Sequence, residues 1–196
     1  MIGIIDYGAG NLMSVKNALD AANITSCIIS SPEDFKKTEM VILPGVGSFG
    51  AMMQTLQEKK LIVPIQETIS SGKPFLGICL GLQALFEESE ESFGVKGFCI
   101  FKGKVVKFKR GKVPQIGWNK IKPKKKLFEE GYAYFVNSYY VVPQKKEIIA
   151  ATADYEGDFV CAVQDKNVTA VQFHPEKSGE YGMNFIKRWI TCSQKE

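Results

Sequence analysis

Along the first half of the chain, short apolar runs alternate with stretches of helical spacing. IGIIDY (2–7), TSCIIS (25–30), MVILPG (40–45) and PFLGI (74–78) read as buried strands, the third stopped by Pro44 and Gly45. Between them the apolar spacing predicts helices over about 14–22 and 50–71, the latter with a break before Pro64, and a further helix from Leu80 to about 88. Strands that alternate with helices predict an α/β fold with a mostly parallel central sheet covered by helices on both faces. Such sheets carry their sites at the carboxyl ends of strands. After residue 94 the pattern turns to short alternating runs at 98–101, 104–109, 132–142, 147–153, 159–165 and 168–173, with one more helix over 181–189. This half predicts a smaller antiparallel or mixed β region that extends the same sheet. No linker, repeat or low-complexity tract divides residues 1–196, so one domain is expected.

The chain is long enough to bury a sizeable core. Met1 leads straight into the first apolar run with no basic segment before it. No apolar run approaches the ~20 residues that a membrane helix needs. A cytoplasmic location with no membrane contact is the expectation. Five cysteines, at 27, 79, 99, 161 and 192, are odd in number, widely spaced and free of any C-x-x-C pair. That argues against a disulfide framework or a zinc site and fits a reducing compartment; neither metal nor cofactor is expected. The net charge of +4 is uneven, because twelve of the 25 Lys/Arg fall within 96–126. A nucleic-acid face is one reading. FKGKVVKFKRGKV, however, alternates lysines with apolar residues, as hairpin strands do when their lysines point to water and discourage edge pairing. No aromatic-rich RNA-binding signature accompanies it, so no nucleic-acid partner is expected.

Three glycine-rich stretches carry the chemistry. YGAGNLM (7–13) has a G-x-G, but Met13 stands where a dinucleotide fingerprint has its third glycine, and a plain strand-to-helix turn is the better reading. Gly77-Ile78-Cys79-Leu80-Gly81 is stronger. It has the form of a nucleophile elbow with sulfur in place of oxygen. A tight strand-to-helix turn of that kind puts the nucleophile at the carboxyl edge of the sheet, where the helix N-terminus favours a thiolate. The plain alternative is a small buried cysteine in a core strand; the flanking glycines favour function. A nucleophilic cysteine needs a base. His174 is the only histidine, lying just past an apolar run in AVQFHPEKS (170–178). Glu176, two residues on, can hold the imidazole tautomer and complete a triad, against the alternative of a lone histidine at a strand end. PGVGSFG (44–50) follows a buried strand, and its backbone N–H groups with that of Leu80 can form an oxyanion hole; otherwise it is a flexible turn.

GICLGLQ, PGVGSFG and FHPEKS together resemble a class I glutamine amidotransferase domain of the triad type, over nearly the whole chain. IDYGAGN, VPQIGWN (113–119) and YFVNSYY (134–140) narrow the resemblance to the family of glutaminase subunits that serve imidazole glycerol phosphate synthase in histidine biosynthesis. Asn137 is a departure, since members of that family often carry histidine there. The resemblance implies that Cys79 attacks the side-chain amide of glutamine, that His174 and Glu176 complete the triad, and that Val46 or Gly47 with Leu80 supply the oxyanion donors. It further implies that Gly47, Gln83, Ser138 and Tyr139 hold the substrate glutamine. A (β/α)8-barrel synthase would dock over the site and receive the ammonia, with Asn11, Trp118, Tyr134 and Lys177 at or near the interface. Trp118 in a polar stretch also fits an anchor at a protein contact, or alternatively a core tryptophan. Two other readings stay open on sequence alone: a paralogous glutaminase that feeds a different barrel synthase, and a cysteine hydrolase of another kind.

Overall fold

The computed structural model describes residues 1–8 and 11–193. The expected glycine turn after Tyr7 includes residues 9 and 10, which lie outside the described residues. The elements run β1 (Ile2–Ile5), α1 (Leu12–Ala21), β2 (Ser26–Ile29), β3 (Met40–Leu43), α2 (Phe49–Glu58), α3 (Ile62–Ser70), β4 (Phe75–Ile78), α4 (Leu80–Gln83), β5 (Glu88–Ser89) and β6 (Gly103–Lys107). They continue with β7 (Gln115–Pro123), β8 (Gly131–Asn137), β9 (Tyr139–Pro143), β10 (Ile149–Asp154), β11 (Asp158–Asp165), β12 (Val168–Val171) and α5 (Gly179–Ser193).

The sheet order is β2-β1-β3-β4-β12-β11-β10-β7-β8, with β9, β6 and β5 branching from β11. From β2 to β12 the pairs are parallel; from β12 onward along this order they are antiparallel. The parallel strands β1, β3, β4 and β12 are buried at every position, because both faces are covered. Val41, Leu43 and Phe75 join one core with α2 and α3 through Phe49, Met52, Leu56 and Ile65. Ile4, Ile42, Leu76 and Ile78 join the other with α1 and α5 through Val15, Leu19, Phe185 and Trp189. Chain order then brings the carboxyl ends of β3, β4 and β12 side by side, with the PGVGSFG, Cys79 and His174 segments immediately after them.

The break expected before Pro64 is present: the predicted 50–71 helix is two helices, parted at Lys60, whose φ of 57° leaves the helical region. Pro64 itself lies in the first turn of α3, where its missing N–H costs nothing. Other expected elements differ. The helix after Cys79 ends at Gln83, and the expected strand at 98–101 is a loop whose N–H groups at Phe98, Ile100 and Phe101 donate to Ala84 and Leu85 carbonyls. The run 132–142 is two strands that part at Ser138. Strand β7 was not expected at all. Two of the basic-stretch lysines meet carboxylates across strands, Lys120 with Glu130 at 2.8 Å and Lys122 with Asp158 at 2.6 Å.

Candidate active site

Cys79 sits between β4 and α4 with φ 55° and ψ −106°, a backbone region that a side chain rarely adopts. Its N–H donates to the Val171 carbonyl at 2.7 Å, and its carbonyl receives Leu82 and Gln83, so the strain is held from both sides. Gly81 is required at the turn: a Cβ there would come within 2.0 Å of the Leu43 carbonyl oxygen. Gly77 is crowded in the same way, 2.8 Å from the Gly81 oxygen.

His174 follows β12 and opens the 3-10 turn Pro175–Lys177. Its N–H donates to the Tyr134 carbonyl at 2.9 Å, and the Tyr134 N–H in turn donates to the Ser178 hydroxyl at 2.9 Å, which pins the turn on β8. The imidazole is 2% exposed. Its Nδ1 is 2.8 Å from Glu176 Oε1, whose side chain is wholly buried. With Nδ1 directed at the carboxylate, Nε2 is left for Cys79. Burial pushes the imidazole pKa down, but the Cys79 sulfur and the Glu176 carboxylate outweigh it and raise the value to about 10.

Asn11, expected at or near the interface, reaches the triad carboxylate. It is 4% exposed, and its side-chain amide donates to Glu176 Oε1. Its nitrogen also lies 3.3 Å from His174 Nδ1, where a ring proton directed at Glu176 leaves it a neighbour and not a partner. Asn11 occupies the N-cap of α1 without capping it; the side chain that would ordinarily close the helix is turned to the carboxylate. The other three expected interface residues have solvent access: Trp118 is 53% exposed, packed edge-on to Tyr134 with ring centroids 5.9 Å apart, and Lys177 is exposed.

A cavity of about 310 Å³ opens at this edge, at the small end of the range for ligand sites and suited to an amino acid. It brings Cys79 and His174 together with Val46, Gly47, Leu80, Gln83, Ser138 and Tyr139. Cys79, His174 and all the expected oxyanion and substrate positions thus line one cavity, with Lys177; Glu176 does not line it and reaches the site through the His174 ring. Two of the three expected oxyanion donors are occupied. Leu80 N–H donates to the Gly45 carbonyl at 3.4 Å, and Val46 N–H to the Tyr7 hydroxyl at 3.0 Å. Tyr7 also donates to the Val46 carbonyl at 3.1 Å. Burial raises its pKa to about 12, so the hydroxyl keeps the proton that this second bond uses.

Three contributors escaped the sequence reading. Tyr7 lay inside a quoted motif with no role given to it. Glu91 lines the cavity, and its carboxylate accepts the Phe49 N–H at 2.6 Å; nothing in ESFG marks it. Gln172 is wholly buried behind the nucleophile. A lone polar residue in the apolar run TAVQF was the available signal.

The chain has relatives over nearly its whole length. Residues 3–191 match the family described as glutamine amidotransferase class-I. The Imidazole glycerol phosphate synthase subunit HisH of Pyrococcus furiosus is 51% identical over 195 residues, 96% of this chain and 97% of that protein. The subunit of the same name from Bacillus subtilis is 43% identical over 208 residues, 100% of this chain and 98% of that protein. A solved glutamine amidotransferase shares the fold, with a TM-score of 0.81 over 98% of both chains at 15% identity. The chain therefore belongs to the class-I glutamine amidotransferase family, among the HisH subunits of imidazole glycerol phosphate synthase.

Proposed function

We propose that this chain is a glutaminase that hydrolyses glutamine to glutamate and ammonia and hands the ammonia to a cyclase partner making imidazole glycerol phosphate. The single observation that carries the chemistry is the strained Cys79 beside the only imidazole of the chain, itself backed by Glu176. The Cys79 thiolate adds to the amide carbon of bound glutamine. The resulting oxyanion calls for backbone donors from Leu80 and from Val46 or Gly47. The C–N bond then breaks as His174 delivers its proton to the leaving ammonia, and a thioester remains. Water attacks the thioester, His174 takes the water's proton, and glutamate leaves with regeneration of the thiolate–imidazolium pair. Glu176 keeps the ring oriented and supports its charge throughout. Ser138, Tyr139, Gly47 and Gln83 hold the substrate, and the Glu91 carboxylate at the cavity wall suits its α-ammonium.

The partner is a (β/α)8-barrel synthase in a heterodimer, docked on the outer face of β7 and β8. That reading is supported by cross-strand pairs on one face: Trp118 opposite Tyr134, Ile116 opposite Val136, and Lys120 opposite Tyr132. Ile116 is 65% and Tyr132 59% exposed, an apolar face that a protein contact would cover. The test is to titrate the purified chain with the histidine-pathway cyclase carrying its nucleotide ligand and to follow glutamate release. Strong stimulation is expected, with Trp118→Ala weakening association roughly ten-fold or more. Full turnover by the lone chain, or stimulation only by a barrel synthase of another pathway, would defeat the proposal.

A further inference from the structure

We infer that Gln172 is the hydrogen-bond donor that holds and stabilises the sulfur anion of Cys79 from behind, on the side away from the substrate. This rests on the reading of Cys79 as the nucleophile given above. Gln172 is the first residue after β12, 0% exposed, and its Nε2 lies 3.5 Å from Cys79 Sγ. Its side chain does not line the substrate cavity. A side-chain amide has two ends, and only one of them favours an anion. The surrounding hydrogen bonds decide which end faces the sulfur. The Tyr139 carbonyl can only accept, and Gln83 Nε2 lies 3.3 Å from it. That fixes the Gln83 amide with its nitrogen inward, and the same nitrogen donates to Gln172 Oε1 at 3.1 Å. With its oxygen so occupied, Gln172 must present N–H to the sulfur.

The Tyr139 carbonyl is itself fixed from the other side. Asn137 Nδ2 donates to it at 2.9 Å, Gln115 Nε2 to Asn137 Oδ1 at 2.7 Å, and Asn119 Nδ2 to Gln115 Oε1 at 2.7 Å. Two runs of amides therefore converge on one carbonyl, and every amide in them has a determined orientation. A single flipped member would set two donors or two acceptors face to face in a buried place. A donor so constrained is available to the anion without reorganisation, whereas the neutral thiol gains little from it.

The experiment reads the sulfur directly. In a chain whose other cysteines are serine, the rate of Cys79 alkylation by iodoacetamide is measured at neutral pH. The thiolate ultraviolet absorbance is taken as the difference from the same chain carrying Cys79→Ser. Gln172→Leu is expected to slow alkylation roughly ten-fold or more, the usual weight of a hydrogen bond to a charged group. Gln172→Glu, which keeps the shape but sets an acceptor against the sulfur, is expected to slow it further, and both should lose the thiolate absorbance. An alkylation rate within two-fold of the parent in either folded variant would overturn the inference. Should neither variant fold, the side-chain amide resonance of Gln172 in the wild-type chain serves: it is expected to shift on Cys79→Ala, and a resonance that stays in place overturns the inference equally. None of these readouts uses glutamine turnover, so an inactive wild-type chain would count against the proposed function and leave this result to be judged on its own.

Discussion

The chemistry at Cys79 and that at its acceptor are separable, and this governs what single residues should do. Cys79→Ala is expected to abolish glutamine-dependent synthesis in the assembled complex while synthesis from added ammonium salt persists; an assay with each nitrogen source in parallel checks it. Cys27, Cys99, Cys161 and Cys192, changed singly, should keep most activity. His174→Ala should be nearly as damaging as loss of Cys79, and the double variant no worse, because nucleophile and base act as one unit. Glu176→Gln should be milder, since the amide retains an oxygen that can accept from Nδ1. Steady-state kinetics of the four variants decide this, and a Glu176→Gln enzyme equal to wild type would reduce the triad to a dyad. Asn11 adds a residue to that group: it bonds to the carboxylate that holds the ring, a contact that the resemblance, which put it at or near the partner interface, did not imply.

At the scale of elements, the elbow depends on the close approach of α4 to β3. Gly81→Ala puts a methyl group against the Leu43 carbonyl at 2.0 Å, and should cost roughly 1–3 kcal/mol of stability together with most turnover. A urea midpoint measured beside activity separates the two effects. The PGVGSFG segment is held by Tyr7, whose single hydroxyl satisfies both the N–H and the carbonyl of Val46. Tyr7→Phe removes that hold and frees the amide to turn toward the oxyanion. Glutamine turnover by the lone chain is expected to rise, within the roughly hundred-fold that one such donor is worth, and a fall would show that Tyr7 supports the active arrangement instead. The parallel half of the fold was legible because strands buried on both faces read as plain apolar runs. Strand β7 was not, and the reason is physical. Its inward positions carry the amides Gln115 and Asn119, its outward positions carry Ile116 and Trp118, and so the usual alternation is inverted. The same inversion hid Gln172, a polar group where the pattern calls for an apolar one. Conversely, FCIF at 98–101 has strand composition but folds as a loop, its N–H groups taken by the carbonyls that end the short α4 segment.

At the scale of the whole molecule, the face proposed for a partner and the proposed base meet at one strand. β8 carries Tyr134 and Val136 on its outer side, while the Tyr134 carbonyl receives the His174 N–H. The charge state of the base is also a property of the folded chain. Its pKa, pushed down by burial but raised further by Cys79 and Glu176, goes from 6.5 to about 10. A raised folded-state value stabilises the fold fully below about 6.5, and that contribution is lost as pH rises toward about 10. Urea midpoints should therefore decline across this window in the wild type and decline less in Cys79→Ala, where the ring has lost its partner anion.

The solitary imidazole has one more use. Because no second histidine exists in the sequence, the ring's magnetic resonance signals belong to His174, the proposed base, without any assignment experiment. The protein thus carries its own spectroscopic probe at the reacting centre. Its ring protons can be followed while a substrate analogue is added, with no label attached and no residue changed.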